Sequence, residues 1–149
     1  MSSAAASAPN RATVRVARKY AADQDRVFDA WLDPTKAAHF LFATPAGTMV
    51  KVEIDPRVGG RFRFVERRDG TDVEHRGEYL EIDRPHRLVF SFWVPQFSAE
   101  KTTIQLDFAP LDLGCVVTLT HEGVFEDFAA RTEQGWTMIL NGLAETLMP

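Results

Sequence analysis

Apolar and polar residues alternate near the start of the chain and predict a strand. Between residues 13 and 20, Val14 and Val16 share one face while Arg15 points to the other. The Thr13–Tyr20 segment is therefore the first expected element of the fold.

Two short helices are predicted after this strand. Asp23 is a suitable N-cap for the first helix, whose apolar face is formed by residues at i, i+3 and i+4: Val27, Ala30 and Trp31. Asp33 and Pro34 are typical of a helix start, since Asp can cap and Pro suits the first helical position. The second helix is expected over residues 35–41.

From residue 50 to residue 120, alternation and turn residues predict about six antiparallel strands. Asp69-Gly70 is typical of a tight hairpin turn. Alternation assigns a shared apolar face to the following residues: Val50, Val52, Ile54, Phe62, Phe64, Leu88, Phe90, Phe92, Ile104, Leu106, Phe108, Val117, Leu119 and His121.

The last segment returns to helical spacing. Its apolar residues are Trp136, Ile139, Leu140, Leu143 and Leu147. A helix of about 20 residues is about 30 Å long, enough to cross a sheet. Gly135 lowers helix propensity, so we expect it to mark a close backbone approach.

This order of elements predicts an α+β domain. One long helix cannot cover both faces of the sheet, so we expect a curved antiparallel sheet of six or seven strands wrapped around it. Space left between helix and sheet would form a pocket. With 149 residues, the chain fits a single domain over residues 13–149, after a disordered tail at residues 1–12.

Composition narrows the classes of partner. The net charge of -4 argues against nucleic acid. No apolar run approaches the length of a membrane span, and the first residues lack the features of a signal peptide. A lone Cys115 excludes an intrachain disulfide and a cysteine zinc cluster, and it fits a reducing, cytoplasmic location.

Few residues stand out as catalytic or metal-binding. Gly59-Gly60 leads into a strand rather than a helix, which favours a bend over a phosphate-binding loop. Cys115 is expected to be a small buried residue, and Glu53 and Asp55 share an outward face. The four histidines have no local metal-ligand spacing: His39, His75, His86 and His121. We therefore expect no metal and no organic cofactor.

The sequence allows two interpretations for a group of arginines and two for one histidine. The arginines of one hairpin, interleaved with Glu66 and Asp69, form either a solvated outward face or an interface for an acidic partner: Arg61, Arg63, Arg67 and Arg68. His121 shares the inward face of its strand, so it is either a core histidine bonded to backbone or a polar group of a cavity.

Several motifs resemble the family named after the activator of the heat-shock-protein-90 ATPase. They run in order from residue 13 to residue 147: VFDAWLDP at 27–34, DPRVGGRF at 55–62, GEY at 77–79, PHRL at 85–88, TLTHEG at 118–123 and Gly135-Trp136. Two positions depart from the pattern, because Phe40 stands where a Trp is common and Cys115 stands where a Thr is common. Both changes are expected to reshape the pocket rather than the fold.

The resemblance implies the START-like helix-grip fold, shared by a superfamily (SRPBCC) of lipid carriers, polyketide cyclases and hormone-binding proteins. It favours cavity lining over simple core for a set of inward residues: Trp31, Phe62, Phe64, Phe90, Phe92, Phe108, Leu119, His121, Trp136 and Leu140. The implied function is binding of a small hydrophobic ligand such as a lipid, a polyketide-like compound or an aromatic metabolite.

Two other function classes stay open at this stage. One is a chaperone-associated interaction protein, and the other is a cyclase-like or hydratase-like enzyme on the same fold. Trp93 and Val89 place apolar surface on an outward strand face, from which we expect a monomer or a homodimer.

Overall fold

Seven antiparallel strands form one curved sheet in the computed structural model, which describes residues 10–148. The strand order is β1-β7-β6-β5-β4-β3-β2. The strands are β1 (Arg11–Tyr20), β2 (Thr48–Ile54), β3 (Arg61–Arg68), β4 (Thr71–Asp83), β5 (Arg87–Trp93), β6 (Thr102–Leu111) and β7 (Gly114–Phe125). Three α-helices complete the fold: α1 (Gln24–Ala30), α2 (Pro34–Phe40) and α3 (Ala129–Thr146). This arrangement confirms the predicted α+β helix-grip fold.

The predicted helix starts are confirmed by their caps. The Asp23 carboxylate accepts from the Arg26 backbone N–H at 2.9 Å, and Asp33 accepts from Thr35 N–H at 2.9 Å. Pro34 lies at the first turn of α2, where its missing N–H costs nothing. Strand β1 begins at Arg11, two residues before the predicted start, and residues 1–9 of the predicted tail lie outside the described residues.

The strand faces follow the predicted alternation except at the start of β2 and at the end of β3, where Glu66 faces inward. Pairing between β2 and β3 shifts register between Met49 and Lys51. Val50 lies at this irregularity and is 42% exposed, while Met49 packs on the core. The prediction that Val50 shares the apolar face with Val52 was wrong, because a bulge reverses the alternation on one side of it.

Helix α3 packs on the concave face of the sheet, as predicted. Trp136, Leu140, Leu143 and Leu147 are buried, and the Tyr20 hydroxyl donates to the Leu140 carbonyl at 2.8 Å. The close approach expected at Gly135 was wrong, since a Cβ there would meet nothing within 4 Å. Gly142 makes it instead: a Cβ there would lie 3.3 Å from Phe40 Cβ in α2.

The hairpin between β3 and β4 turns at the predicted dipeptide. Asp69 and Gly70 have φ values of 49° and 78°, the left-handed conformation that such a two-residue turn requires. The turn closes on the pair Arg68 and Thr71. It thereby fixes which residues of β3 and β4 face the helix.

Among residues 10–148, none of the helices combines the length and the apolar character needed to cross a membrane.

Candidate functional site

A cleft of about 290 Å³ lies between the first half of α3 and the sheet. Apolar and aromatic side chains form most of its wall, as in typical small-molecule sites. The residues lining the cleft are Phe42, Ala43, Thr44, Arg68, His75, Phe92, His121, Thr132, Gly135, Trp136, Met138 and Ile139. They come from β3, β4, β5, β7, α3 and the segment that follows α2.

Three nearly parallel rings lie at the centre of the cleft. The Phe42 ring stacks on His75 with centroids 4.7 Å apart and an interplanar angle of 12°, and on Phe92 at 5.0 Å and 7°. The ring planes of His75 and Phe92 are inclined to each other by only 12°, and their centroids lie 6.1 Å apart. We call the rings of His75 and Phe92 the aromatic floor. Phe42 therefore covers a flat surface contributed by neighbouring strands.

The segment that carries Phe42 wraps around a buried carboxylate. Glu66 is fully buried, and its Oε2 accepts from the Thr44 backbone N–H at 2.6 Å and from the Thr44 hydroxyl at 2.8 Å. Its Oε1 accepts from Arg68 Nε. A Cβ at Gly47 would clash with Oε2, so a larger residue there would push the carboxylate out of its place. A buried charge must be paired in this way to be tolerated.

His121 joins three elements through a chain of hydrogen bonds. The Trp136 indole Nε1–H donates to His121 Nδ1 at 2.9 Å, and His121 Nε2 lies 2.7 Å from Thr102 Oγ1. Because an indole can only donate, Nδ1 is the unprotonated nitrogen and Nε2 carries the hydrogen. Thr102 then donates to the Phe92 carbonyl at 3.2 Å. Both ring nitrogens of His121 are thus in use.

Both cleft histidines are neutral at physiological pH. Burial lowers the pKa of His75 to about 4, with a further lowering from the charge of Arg68. Burial also lowers the pKa of His121 to about 4. His75 Nδ1 lies 3.3 Å from the Phe64 carbonyl and donates to it, which leaves Nε2 as an acceptor.

The structure brings three of the ten predicted cavity residues to this cleft, namely Phe92, His121 and Trp136. The other seven lie in the core, are at most 3% exposed and do not line the cleft: Trp31, Phe62, Phe64, Phe90, Phe108, Leu119 and Leu140. Their rings pack on one another, as Phe62 does edge-to-face on Phe90 at 5.2 Å. Their placement favours a packing role.

Sequence reasoning missed Phe42, Glu66, Arg68 and His75. The expectation that Glu66 and Arg68 belong to an outward face was wrong, because they continue the inward alternation of Phe62 and Phe64 along β3. An acid in that inward series was the available signal. Phe42 lies in an irregular segment with no periodicity to reveal it.

The remaining candidates have structural roles. Gly59, at φ 85°, donates its N–H to the Tyr79 carbonyl at 2.9 Å, so the glycine pair forms a bend as predicted. Cys115 is a free, buried thiol whose pKa is raised by burial. Glu53 pairs with Arg63. In the part of the chain that the structure describes, no three acidic, histidine or cysteine side chains group to hold a metal ion.

The sequence profile of one family matches most of the chain. This family is described as activator of Hsp90 ATPase homolog 1-like protein, and the match spans residues 21–148. None of the curated proteins matches the chain significantly.

Solved structures of bacterial proteins share the fold. A protein from Chromobacterium violaceum is 27% identical, with a TM-score of 0.84, and the match covers 92% of this chain and 97% of that chain. One from Rhizobium loti is 24% identical, with a TM-score of 0.81, over 94% and 99% of the two chains. An AHSA1-like protein from Aeromonas hydrophila, solved in solution, is 21% identical, with a TM-score of 0.78, over 91% and 92%.

Proposed function

The chain belongs to the family of activator of Hsp90 ATPase homolog 1-like proteins, and on that premise we propose that it binds a small hydrophobic molecule in the cleft. The ligand is a lipid, a polyketide-like compound or an aromatic metabolite. The observation that carries the proposal is the cleft itself, about 290 Å³ in volume and walled by aromatic and aliphatic side chains. A cavity of this size suits a ligand of one or two rings or a short acyl chain.

The few polar groups of the cleft support a ligand that is apolar with a polar end. Arg68 lies at the wall with its side chain 37% exposed, and its terminal nitrogens bond no other residue between 10 and 148. The lone pair of His75 Nε2 is the second group available. One donor and one acceptor beside an apolar wall fit a ligand with a hydroxyl, carbonyl or carboxylate at one end.

The chemistry of these groups favours binding over catalysis. A general base works best when its pKa lies near the operating pH, whereas burial lowers the pKa of His75 and His121 to about 4. His121 also has both nitrogens engaged by Trp136 and Thr102. The buried acid Glu66 is held by Arg68 and Thr44 rather than aimed into the cleft.

We further propose that the protein acts in the cytoplasm as a monomer or homodimer. Cys115 is free and buried, which is compatible with a reducing compartment. Lys101 Nζ lies 4.6 Å from the centroid of the Trp93 ring, so a cation already covers part of the outward apolar surface. That cover supports a small assembly.

Native mass spectrometry of freshly purified protein tests the proposal, followed by titration with fatty acids, flavonoids and polyketide-like aromatics. We expect bound mass or saturable binding for at least one class. The blocking variant Gly135→Leu fills the cleft, and Gly135→Ala is its control because a Cβ there meets nothing within 4 Å. Loss of binding in the first variant alone supports the cleft, whereas no binding by the wild-type protein contradicts the proposal.

A further inference from the structure

The Phe42 ring is buried in the wall of the cleft, at a place that suits another planar ring. It stacks on both rings of the aromatic floor at once, with interplanar angles of 12° to His75 and 7° to Phe92. Offset stacking of this kind is favourable for any flat π-system of similar size. The floor is provided by β4 and β5, whereas its cover comes from an irregular segment.

The backbone of Phe42 is unfavourable for its side chain. Its φ of 59° lies in the left-handed region, which bulky residues rarely adopt. The neighbouring positions are held firmly: Leu41 N–H donates to the Ala37 carbonyl at 2.8 Å, and Thr44 is bound to buried Glu66. Only Phe42 and Ala43 lie between these two anchors, and Ala43 N–H donates to the Phe40 carbonyl at 3.4 Å, so displacing the ring requires these two residues to rearrange together while the helix stays in place.

One ring nitrogen of His75 remains an acceptor beside the cleft. The Nδ1–H of His75 donates to the Phe64 carbonyl at 3.3 Å, which leaves Nε2 as an acceptor on a residue that lines the cleft. A phenylalanine ring stacked on the imidazole offers it no donor, whereas a hydroxyl group on a ring in the same place would.

We propose that the aromatic floor of His75 and Phe92 is a ring-stacking subsite for a planar, hydroxyl-bearing aromatic ligand, and that Phe42 is a plug which the ligand displaces. This inference rests on the proposed function and specifies its occupant. The ring of the ligand stacks on the floor, and its hydroxyl donates to His75 Nε2. Phe42 leaves its left-handed conformation as it is displaced, and Glu66 holds the rest of the segment in place.

The ligand binds only while the plug is open, so the observed affinity is the affinity of the open state multiplied by the fraction of time during which the plug is open. If that fraction is on the order of 0.1, removing the ring raises the affinity by roughly tenfold. We would measure binding of 2-naphthol by calorimetry to the wild-type protein and to Phe42→Ala. The expected result is about tenfold tighter binding by the variant.

Decahydro-2-naphthol is the matched control, because it keeps the hydroxyl and the two-ring size but is not planar. We expect Phe42→Ala to prefer 2-naphthol clearly, and a His75→Ala change in that background to remove the preference. If Phe42→Ala does not fold, Phe42→Leu carries the test, since it keeps most of the volume but loses the stacking. The affinity of the Phe42→Leu variant for 2-naphthol should rise by on the order of threefold or more, because its plug is open more often.

An affinity for 2-naphthol within about twofold of wild type in the variant that folds would overturn the plug. Equal gains for the two probes would overturn the stacking subsite. Neither outcome would contradict ligand binding in the cleft, which fails only if the wild-type protein binds no member of the wider panel.

Discussion

The indole Nε1–H of Trp136 lies 2.9 Å from His121 Nδ1 and donates its hydrogen to it. This bond joins helix α3 to strand β7 inside the wall of the cleft. It also sets the tautomer of His121, whose Nε2–H then bonds Thr102 on β6. One imidazole therefore ties the long helix to two strands and leaves none of its own nitrogens for a ligand.

Replacing His121 with Leu should destabilise the fold. The change leaves the buried Trp136 indole without an acceptor, at a cost of about 1–3 kcal/mol in the free energy of unfolding. Urea denaturation measures the loss. In a Trp136→Phe background the donor is already absent, so the same His121→Leu change should cost less.

Equal costs of His121→Leu in the two backgrounds would contradict a coupling between the residues. Thr102→Val is a second check, because it keeps the shape of the side chain and removes the acceptor of His121 Nε2–H. It should also destabilise, by about 1 kcal/mol.

Stability should fall as the pH drops below 6.5. His75 and His121 have a pKa of about 4 in the folded protein, lowered from 6.5 mainly by burial. The unfolded chain therefore binds up to two more protons between those values, and the free energy of unfolding falls by up to about 2.7 kcal/mol per pH unit. The dependence fades between pH 6.5 and about 7.5, above which both groups are neutral in either state.

Urea denaturation at pH 7.5, 6.5, 5.5 and 5.0 checks this dependence. A variant with one of the two histidines replaced by Gln should show about half the slope. A flat profile between pH 6.5 and 5.0 would show that the imidazoles titrate normally in the folded protein.

Two glycines of α3 should respond in opposite ways to alanine. Gly135→Ala places a Cβ in open space, so it should stabilise the fold by about 0.5–1 kcal/mol through helix propensity. Gly142→Ala gains the same propensity but puts its Cβ 3.3 Å from Phe40 Cβ. We expect it to be neutral or destabilising. Thermal melts of both variants measure the two changes in stability. Equal stabilisation would contradict the close packing at Gly142, since α2 would then move away from the added Cβ without cost.

Glu66 should be among the acids whose loss costs most. Glu66→Ala leaves Arg68 Nε and both Thr44 donors without their carboxylate, at a cost of about 3 kcal/mol. The matched control is Asp72→Ala, which removes a carboxylate paired with Arg67 on the surface. Such exposed pairs contribute little. Similar denaturation midpoints for the two variants would contradict the role of Glu66 in holding the Phe42 segment.

The fold followed from periodicity because each element has one face against the core. Val117, Leu119 and His121 alternate along β7, and Trp136, Leu140 and Leu143 recur along α3. Prediction failed at Val50, which lies at a bulge where the alternation breaks. It also failed within the regular helix α3, because helix propensity does not tell which glycine packs against α2, and the close contact is at Gly142 rather than at Gly135.

The site was harder to predict than the fold. Core and cavity require the same residue types, so sequence placed Phe62 and Phe90 in a cavity although they are at most 3% exposed in the core. Whether a ring packs or lines a space depends on small differences in distance between helix and sheet. Phe42 stacks on His75, but it lies outside any strand or helix, so no periodic pattern in the sequence predicts its position.

The most direct test of ligand binding in the cleft is a nitrogen-15 NMR titration of the indole N–H groups. The three tryptophans differ in place: Trp136 lines the cleft, Trp31 is 1% exposed in the core, and Trp93 does not line the cleft. With a ligand from the native or panel experiments, we predict a saturable shift of the Trp136 indole N–H. Trp31 and Trp93 should move little, and the Trp136→Phe and Trp93→Phe variants together assign the three peaks. A ligand that binds while shifting only Trp93, or none of the three, would contradict the account.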